Sequence, residues 1–131
     1  MFERIDHVGI IVGDIDSALA VYAESFELEL VHREVKDELG LDIALLTVGE
    51  SRVELLALTS PDSVLAGAEP GIHHVAYGVA DIDTALELLG ARDVDLLDTS
   101  PRVGVLDSRI AFVHPHAVGG VLTELVEEAR S

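Results

Sequence analysis

The sequence contains no cysteine, so disulfide bonds and thiolate metal sites are excluded. Its apolar runs are all far shorter than the ~18 residues that a membrane-spanning helix needs. The first residues lead straight into a strand pattern, without a basic and then apolar leader. We therefore expect no membrane partner, and a cytoplasmic location is the default.

Positive charge is also scarce, because Lys36 is the single lysine and only 8 basic residues face 25 acidic ones. The formal net charge of −17 repels the phosphates of nucleic acids and of anionic membranes, so nucleic acid is not an expected partner. The acidic surface has two interpretations. It is either a solvated face that keeps the protein soluble or an adaptation to high salt, where charge repulsion is screened.

Motifs of several enzyme classes are missing as well. The sequence has no Ser-His-Asp spacing, no nucleophile elbow and no glycine-rich phosphate loop. The dipeptide Gly119-Gly120 indicates only a turn.

What the sequence does contain is an internal repeat. Residues 7–19 (HVGIIVGDIDSAL) recur as residues 74–86 (HVAYGVADIDTAL), with 8 of 13 positions identical at a constant offset of 67. Agreement in His, Asp, Ile, Ala and Leu at fixed places is more than two amphipathic segments share by chance. The chain is therefore read as two copies of one unit.

Hydrophobic periodicity predicts the same β-α-β-β-β order in both copies. The modules are residues 1–58 and 72–131, joined by a linker at 59–71, within one domain. This pattern predicts an α+β fold. The predicted strands are 5–13, 29–35, 41–48 and 52–58 in the first copy and 73–80, 94–98, 109–114 and 120–127 in the second; the predicted helices run from Asp14 or Asp16 to about residue 26 and over 83–90.

The repeat also pairs side chains that bind metals. His7 and His74 open the first strand of each copy, and Glu54 and Glu124 lie in the last strands, within otherwise apolar segments. A buried carboxylate needs a cation or a hydrogen-bond donor, and imidazole with carboxylate suits a divalent first-row metal. Taken singly, each residue has an ordinary structural explanation. Their recurrence in both copies favours a metal site.

The remaining histidines have no partner in the repeat. His73 neighbours His74 and should point to the opposite face of its strand, so it is not an expected ligand. We interpret His32 and His114 as structural. His116, beside Pro115, is a candidate substrate contact.

These residues resemble the vicinal oxygen chelate, or glyoxalase/bleomycin-resistance, superfamily, and within it the methylmalonyl-CoA epimerases. The resemblance covers almost the whole chain, with IDHVGIIVGDIDSAL, GIHHVAYGVADIDTAL, PRVG, RIAFVHP and GGVLTELVE as its best segments. It implies two βαβββ modules that pair into a curved mixed sheet around a metal-binding cleft. It also implies a homodimer.

The resemblance further implies metal ligands at His7, Glu54, His74 and Glu124, and a divalent cofactor (Co, Mn, Ni, Mg or Zn). The implied reaction inverts the α-carbon of methylmalonyl-CoA or a similar acyl-CoA through an enolate whose charge the metal stabilises. Glu124 is the candidate for one of two bases on opposite faces of the substrate.

The second base is where the sequence departs from the family. Some of these epimerases carry a glutamate where this chain has Ile43. Asp42 and Glu38 are the nearest carboxylates, but Asp42 should face away and Glu38 lies in a predicted loop. The second base is therefore left open.

A polyanionic CoA needs local positive charge on this acidic protein. Arg102, within the PRVG segment, and Arg109, which follows it, are the preferred contacts. Arg33, Lys36 and His116 are further candidates. The alternative is that these arginines only balance nearby acids.

Two other functions are kept open. A glyoxalase I-like lyase of the same superfamily shares the four ligands and the enolate chemistry, whereas an iron dioxygenase would use a triad of ligands. A metal-free protein that binds a small molecule is the alternative outside enzymes. Metal content after mild purification separates it from the first two.

Overall fold

A computed structural model of the protein describes residues 1–129. These residues form eight strands, two helices and two short 3₁₀ turns (Val105–Asp107 and Pro115–Val118). The strands are β1 (Phe2–Ile11), β2 (Glu29–Lys36), β3 (Leu41–Val48), β4 (Ser51–Leu58), β5 (Gly71–Val79), β6 (Arg102–Val103), β7 (Arg109–Val113) and β8 (Thr123–Glu127). The helices are α1 (Ile15–Leu19), continued by a π-helical segment (Ala20–Ser25), and α2 (Ile82–Ala91).

The chain forms two compact units. The N-terminal unit comprises residues 7–73; the C-terminal unit comprises residues 1–6 together with the chain from His74 onward. Strand β1 therefore belongs to both units. Its first residues lie with the second copy of the repeat, although they precede the first copy in the sequence.

In the N-terminal unit the strands lie in the order β2-β3-β4-β1. Strand β1 is parallel to β4, and the other neighbours are antiparallel. One face of this sheet packs against α1 through a core of buried apolar side chains: Ile15, Ala44, Leu46, Leu55 and Ala57. We call the opposite face, which carries His7 and Glu54, the distal face of the unit.

Strand β2 contains a β-bulge. Leu30 pairs with Leu46, but His32 pairs with Leu45, so that Val31 is an extra residue on β2. From His32 onward, β2 is therefore one residue out of step with the alternation that precedes the bulge. Arg33 consequently lies on the helix side, where its guanidinium donates to Asp16 at 2.7 Å and to Asp42 at 3.0 Å.

In the C-terminal unit the order is β1-β5-β8-β7-β6, with β5 parallel to β8. Helix α2 covers one face of this sheet, and its side chains Ile82, Ala85 and Leu86 pack with Ala111, Val113 and Leu125. His74 and Glu124 lie on the distal face of this unit, away from α2. Because Phe2 stacks on Tyr77 with ring centroids 4.8 Å apart, the first residues of β1 are anchored in this unit.

Both helices begin at the aspartate that the repeat places at the same position. The Asp14 carboxylate accepts a hydrogen bond from the Ser17 N–H at 2.8 Å, and Asp81 accepts from the Thr84 N–H at 3.1 Å. Each caps an N–H that has no partner inside its helix. Of the two aspartates considered for the first helix, Asp14 is the cap.

The prediction of a strand over residues 94–98 was wrong. Only Leu96 forms an isolated bridge, to Val113, and the two-residue strand β6 pairs with β7 instead, inside the predicted loop. Asp93 has a positive φ of 59°, which turns the chain out of line as α2 ends. The Asp98 carboxylate then accepts from the Phe112 N–H at 2.9 Å and takes the place of a ladder hydrogen bond.

The α+β fold with a mixed sheet is confirmed, since each unit combines a helix with parallel and antiparallel strand pairs. Within residues 1–129, no helix is both long and apolar enough to cross a membrane.

Candidate metal centre

His7 and Glu54 come together in the N-terminal unit because of the parallel β1–β4 register. Gly9 lies opposite Glu54, and His7 lies two residues before Gly9, so the three positions share the distal face. His7 Nε2 is 3.7 Å from Glu54 Oε1. Both side chains are buried, each residue being 7% exposed.

His74 and Glu124 form the same pair in the C-terminal unit. Ala76 lies opposite Glu124 in the β5–β8 register, and His74 lies two residues before Ala76. The distance between His74 Nε2 and Glu124 Oε1 is again 3.7 Å, and both residues are buried. The imidazole also meets the Phe112 ring edge to face, with centroids 6.1 Å apart.

The spacing within each pair tests whether a metal ion fits. A separation of 3.7 Å between nitrogen and oxygen is too long for a hydrogen bond. Imidazole nitrogen and carboxylate oxygen bind first-row divalent ions at about 2.0–2.2 Å, so two ligands of one ion can be up to about 4.4 Å apart. Both pairs lie inside that range, so their spacing fits a shared divalent ion.

His7, Glu54, His74 and Glu124 are all buried, and each side chain offers a nitrogen or oxygen atom that can bind a metal ion. The nitrogen and oxygen donors suit imidazole-binding ions of the first row and provide no sulfur.

A small residue beside each pair is a feature that sequence reasoning missed. Gly9 and Ala76 occupy equivalent places, two residues after the histidine and opposite the glutamate. A larger side chain at either place would share the face with the ligand pair. The signal was available in the repeat, where Gly9 and Ala76 align at the offset of 67.

The two arginines predicted to contact the substrate lie on opposite faces of the C-terminal sheet. Arg102 pairs with Ile110 in the β6–β7 register and lies on the distal face, with its guanidinium carbon 5.4 Å from the centroid of Phe112. Since Phe112 also contacts His74, Arg102 is one side chain away from the ligand pair. It also donates to Asp98 at 3.3 Å.

Arg109 lies on the side of α2. Its guanidinium donates to Asp83 at 2.8 Å and to Glu127 at 3.4 Å, and these two carboxylates, Asp83 first, raise its pKa above the ordinary value. Glu127 in turn accepts from the Ile82 N–H at the start of the helix. These contacts make Arg109 a link between α2 and the sheet.

His116 lies on the surface of the 3₁₀ turn after β7. Its Nε2 is 2.8 Å from the Asp95 carboxylate, and its ring stacks on His114 with centroids 3.8 Å apart. The His114 ring accepts a hydrogen bond from the His116 N–H at 3.4 Å. The stack fixes the orientation of both rings.

The structure brings a further pair, which we did not predict, to the distal face of the N-terminal unit. His32 pairs with Leu45, which pairs with Glu54, and Glu34 pairs with Ile43. His32 Nε2 lies 3.1 Å from Glu34 Oε1. His32 was interpreted as structural because it has no partner in the repeat. The bulge at Val31, which sets the face of His32, leaves no mark in the hydrophobic pattern.

Comparison with known proteins identifies the class. The sequence pattern of the glyoxalase/bleomycin resistance protein/dioxygenase superfamily matches residues 6–112, and the chain belongs to this superfamily. The predicted family is confirmed, and so is the predicted vicinal oxygen chelate fold.

Proteins similar to this chain include methylmalonyl-CoA epimerases. The ethylmalonyl-CoA/methylmalonyl-CoA epimerase of Cereibacter sphaeroides is 30% identical over 131 residues, which cover 95% of this chain and 98% of that protein. A structure of methylmalonyl-CoA epimerase in complex with methylmalonyl-CoA and NH₄⁺ has a TM-score of 0.89 at 38% identity, covering 98% of this chain and 96% of the other. The Mycobacterium tuberculosis methylmalonyl-CoA epimerase gives the same TM-score and identity, covering 98% and 90%.

Proposed function

We propose that this protein is a metal-dependent epimerase that inverts the α-carbon of methylmalonyl-CoA or a similar acyl-CoA. The observation that carries the proposal is the matched pair of buried His–Glu contacts, His7–Glu54 and His74–Glu124, with 3.7 Å between their ligand atoms in both units. We propose that all four side chains hold one divalent ion. The epimerases with 30–38% identity support the substrate class.

The chemistry explains why such a site needs charged groups. The α-proton of a thioester is too weakly acidic for a carboxylate base alone. A bound divalent cation supplies positive charge where negative charge develops on the substrate oxygen. The protein must also exclude water from this charge, and the burial of His7, Glu54, His74 and Glu124 suits that task.

We propose Glu124 for one of the two proton transfers. Its carboxylate lies on the distal face of the C-terminal unit, and Phe112 stands opposite it in the β7–β8 register. An aromatic neighbour limits the access of water to a carboxylate that has to accept a proton from carbon.

We propose Arg102 for the contact with an anionic part of the substrate. It lies on the same face as His74 and Glu124, and 60% of its side chain is exposed to solvent, so it can meet a phosphate from outside. The charge of Arg109 is already shared between two carboxylates on the other face, and we do not assign it to the substrate. We also propose a substrate contact for His116, and the homodimer stays a prediction.

Deuterium wash-in tests the proposed function. In heavy water, the protein loaded with Co²⁺ or Mn²⁺ should exchange the α-hydrogen of methylmalonyl-CoA and interconvert its epimers, as measured by mass spectrometry. Treatment with EDTA should lower both rates by at least about 100-fold, because one electrostatic contribution of this kind is worth about 10²–10³ in rate. Adding the metal back should restore them.

A metal-loaded protein without exchange would contradict the proposal while leaving the fold unaffected. Metal content after mild purification provides the second measurement. A protein that binds the CoA ester but retains no divalent ion would instead be a binding protein.

A further inference from the structure

Epimerisation at an α-carbon requires two proton-transfer groups, and a single carboxylate is only one of them. One group takes the proton from one face of the substrate, and a second group must deliver a proton to the opposite face of the planar enolate. Glu124 of the C-terminal unit is the proposed group on one side. The need for a second group rests on the proposed function.

The bulge in β2 decides which of its side chains join the distal face. Without Val31 as an extra residue, His32 would pair with Ala44, which points into the core under α1. With it, His32 pairs with Leu45 and Glu34 with Ile43, on the face of His7 and Glu54. Bulges commonly redirect a side chain in this way beside active sites.

Glu34 has the surroundings of a proton-transfer group. Its cross-strand neighbour Ile43 is buried, as is Leu45 beside it, so one side of the carboxylate faces apolar surface. Its side chain remains 31% exposed, which gives a route for exchange with solvent protons. His32 Nε2 at 3.1 Å holds one carboxylate oxygen and leaves the other available.

The other carboxylates considered for this role are placed less well. Asp42 lies on the helix side, where both of its oxygens accept from Arg33. Glu38 lies in the exposed turn between β2 and β3. The register therefore favours Glu34 over both.

We propose that Glu34 is the second catalytic base and that His32 is its positioning residue. In one direction, the Glu34 carboxylate accepts the α-proton, the C–H bond breaks, and its electron pair moves into the thioester carbonyl to give the enolate. The acid form of the group on the opposite face then donates its proton to the same carbon. One proton leaves and one arrives, so no oxidant, reductant or co-reactant is needed.

The test uses Glu34→Gln in the full-length, metal-loaded protein. Interconversion of the epimers should fall by about 100-fold or more in both directions, the usual range for loss of a general base. Deuterium wash-in should persist in one epimer, without inversion, because the opposite base still exchanges its proton. Co²⁺ affinity, measured by titration, should stay within about twofold of the unmodified protein, because Glu34 is not among the proposed ligands.

Glu38→Gln is the matched control, and it should retain both inversion and exchange. The proposal is overturned if Glu34→Gln inverts at the unmodified rate, or if it loses wash-in to both epimers equally while still binding Co²⁺. Failure of the proposed function itself is distinct, because then even the unmodified protein would show no exchange.

The role of His32 has its own readout. His32→Leu should lower kcat about tenfold with little change in KM, since a residue that orients a reacting group typically contributes 10- to 100-fold. His32→Gln, whose amide can still donate to Glu34, should restore most of the loss. Equal losses of kcat in both variants would overturn the positioning role.

Discussion

At the scale of single residues, the small side chains beside the ligand pairs are as informative as the ligands. Gly9 and Ala76 lie opposite Glu54 and Glu124 and on the same face. The C-terminal pair reaches its 3.7 Å spacing beside a methyl group, so the N-terminal pair should accept one as well. A branched side chain at position 9 adds more bulk to the face that carries His7 and Glu54.

Gly9→Ala should therefore bind Co²⁺ with nearly unchanged affinity, whereas Gly9→Val should bind it about tenfold or more weakly, as groups that orient metal ligands usually do. Titration calorimetry measures both affinities. Gly9→Ala serves as the control for the loss of glycine itself, and thermal unfolding shows whether Gly9→Val remains folded. Equal affinities in the two variants would show that the space beside Glu54 is unimportant.

The residues that could be found from the sequence are those that occur twice. His7 and His74 were identified because the repeat marks them, and Glu54 and Glu124 because each lies in an otherwise apolar strand. Glu34 occurs in one copy only and depends on the bulge at Val31. A one-residue shift of register exchanges the two faces of a strand, and hydrophobic pattern alone does not reveal it.

At the scale of elements, the repeated aspartate caps are the clearest link between sequence and stability. The Thr84 N–H donates to Asp81 and holds the pKa of this carboxyl below its ordinary value, and Ser17 does the same for Asp14. Since the pKa in the folded state lies below that of the unfolded chain, the stabilisation is complete above about pH 4. It is lost as the pH falls through the folded-state pKa.

Asp81→Ala should lower the melting temperature at pH 7 by about 3 °C, a typical loss for a helix cap in a domain of this size. The difference from the unmodified protein should shrink as the pH is lowered from 5 to 2, because the native carboxyl is then protonated too. Glu87→Gln, an exposed change in the same helix, is the control. A difference that does not vary with pH would argue against a contribution from the charge.

The predictions for elements were most accurate where the pattern is regular. Most strands and both helices lie where periodicity placed them, including the hairpin from β3 to β4. The strand prediction for residues 94–98 failed because it was inferred from short apolar runs. Asp93 and Asp98 set the path of the backbone there. The contact of Asp98 with Phe112 is a tertiary interaction. Neither this contact nor the positive φ of Asp93 can be predicted from the hydrophobic pattern of neighbouring residues.

At the scale of the whole molecule, the net charge of −17 is the dominant feature. Such a charge destabilises a compact state through self-repulsion, and salt relieves it, because the screening length falls to about 3 Å at 1 M. Several of the arginines are already paired with acids. Arg33 binds Asp16 and Asp42, and Arg109 binds Asp83 and Glu127.

If the acidic surface is an adaptation to high salt, the melting temperature should rise by about 5 °C or more between 0.1 M and 2 M KCl, because repulsion is screened. Differential scanning calorimetry measures the rise. Sucrose of equal osmolarity is the control, since it stabilises by exclusion from the surface and not by screening. A melting temperature that is flat in KCl would leave only the solubility interpretation.

The division of β1 between two units has a consequence for how the chain acquires its structure. The N-terminal unit is contiguous, so every contact inside it can form before residue 74 is available. The C-terminal unit needs residues 1–6 beside residues that follow His74, which closes a loop of 67 intervening residues. Closing a long loop costs entropy before its contacts repay it. During synthesis, the first six residues therefore lack their strand neighbours in β5 until residues beyond His74 have been made.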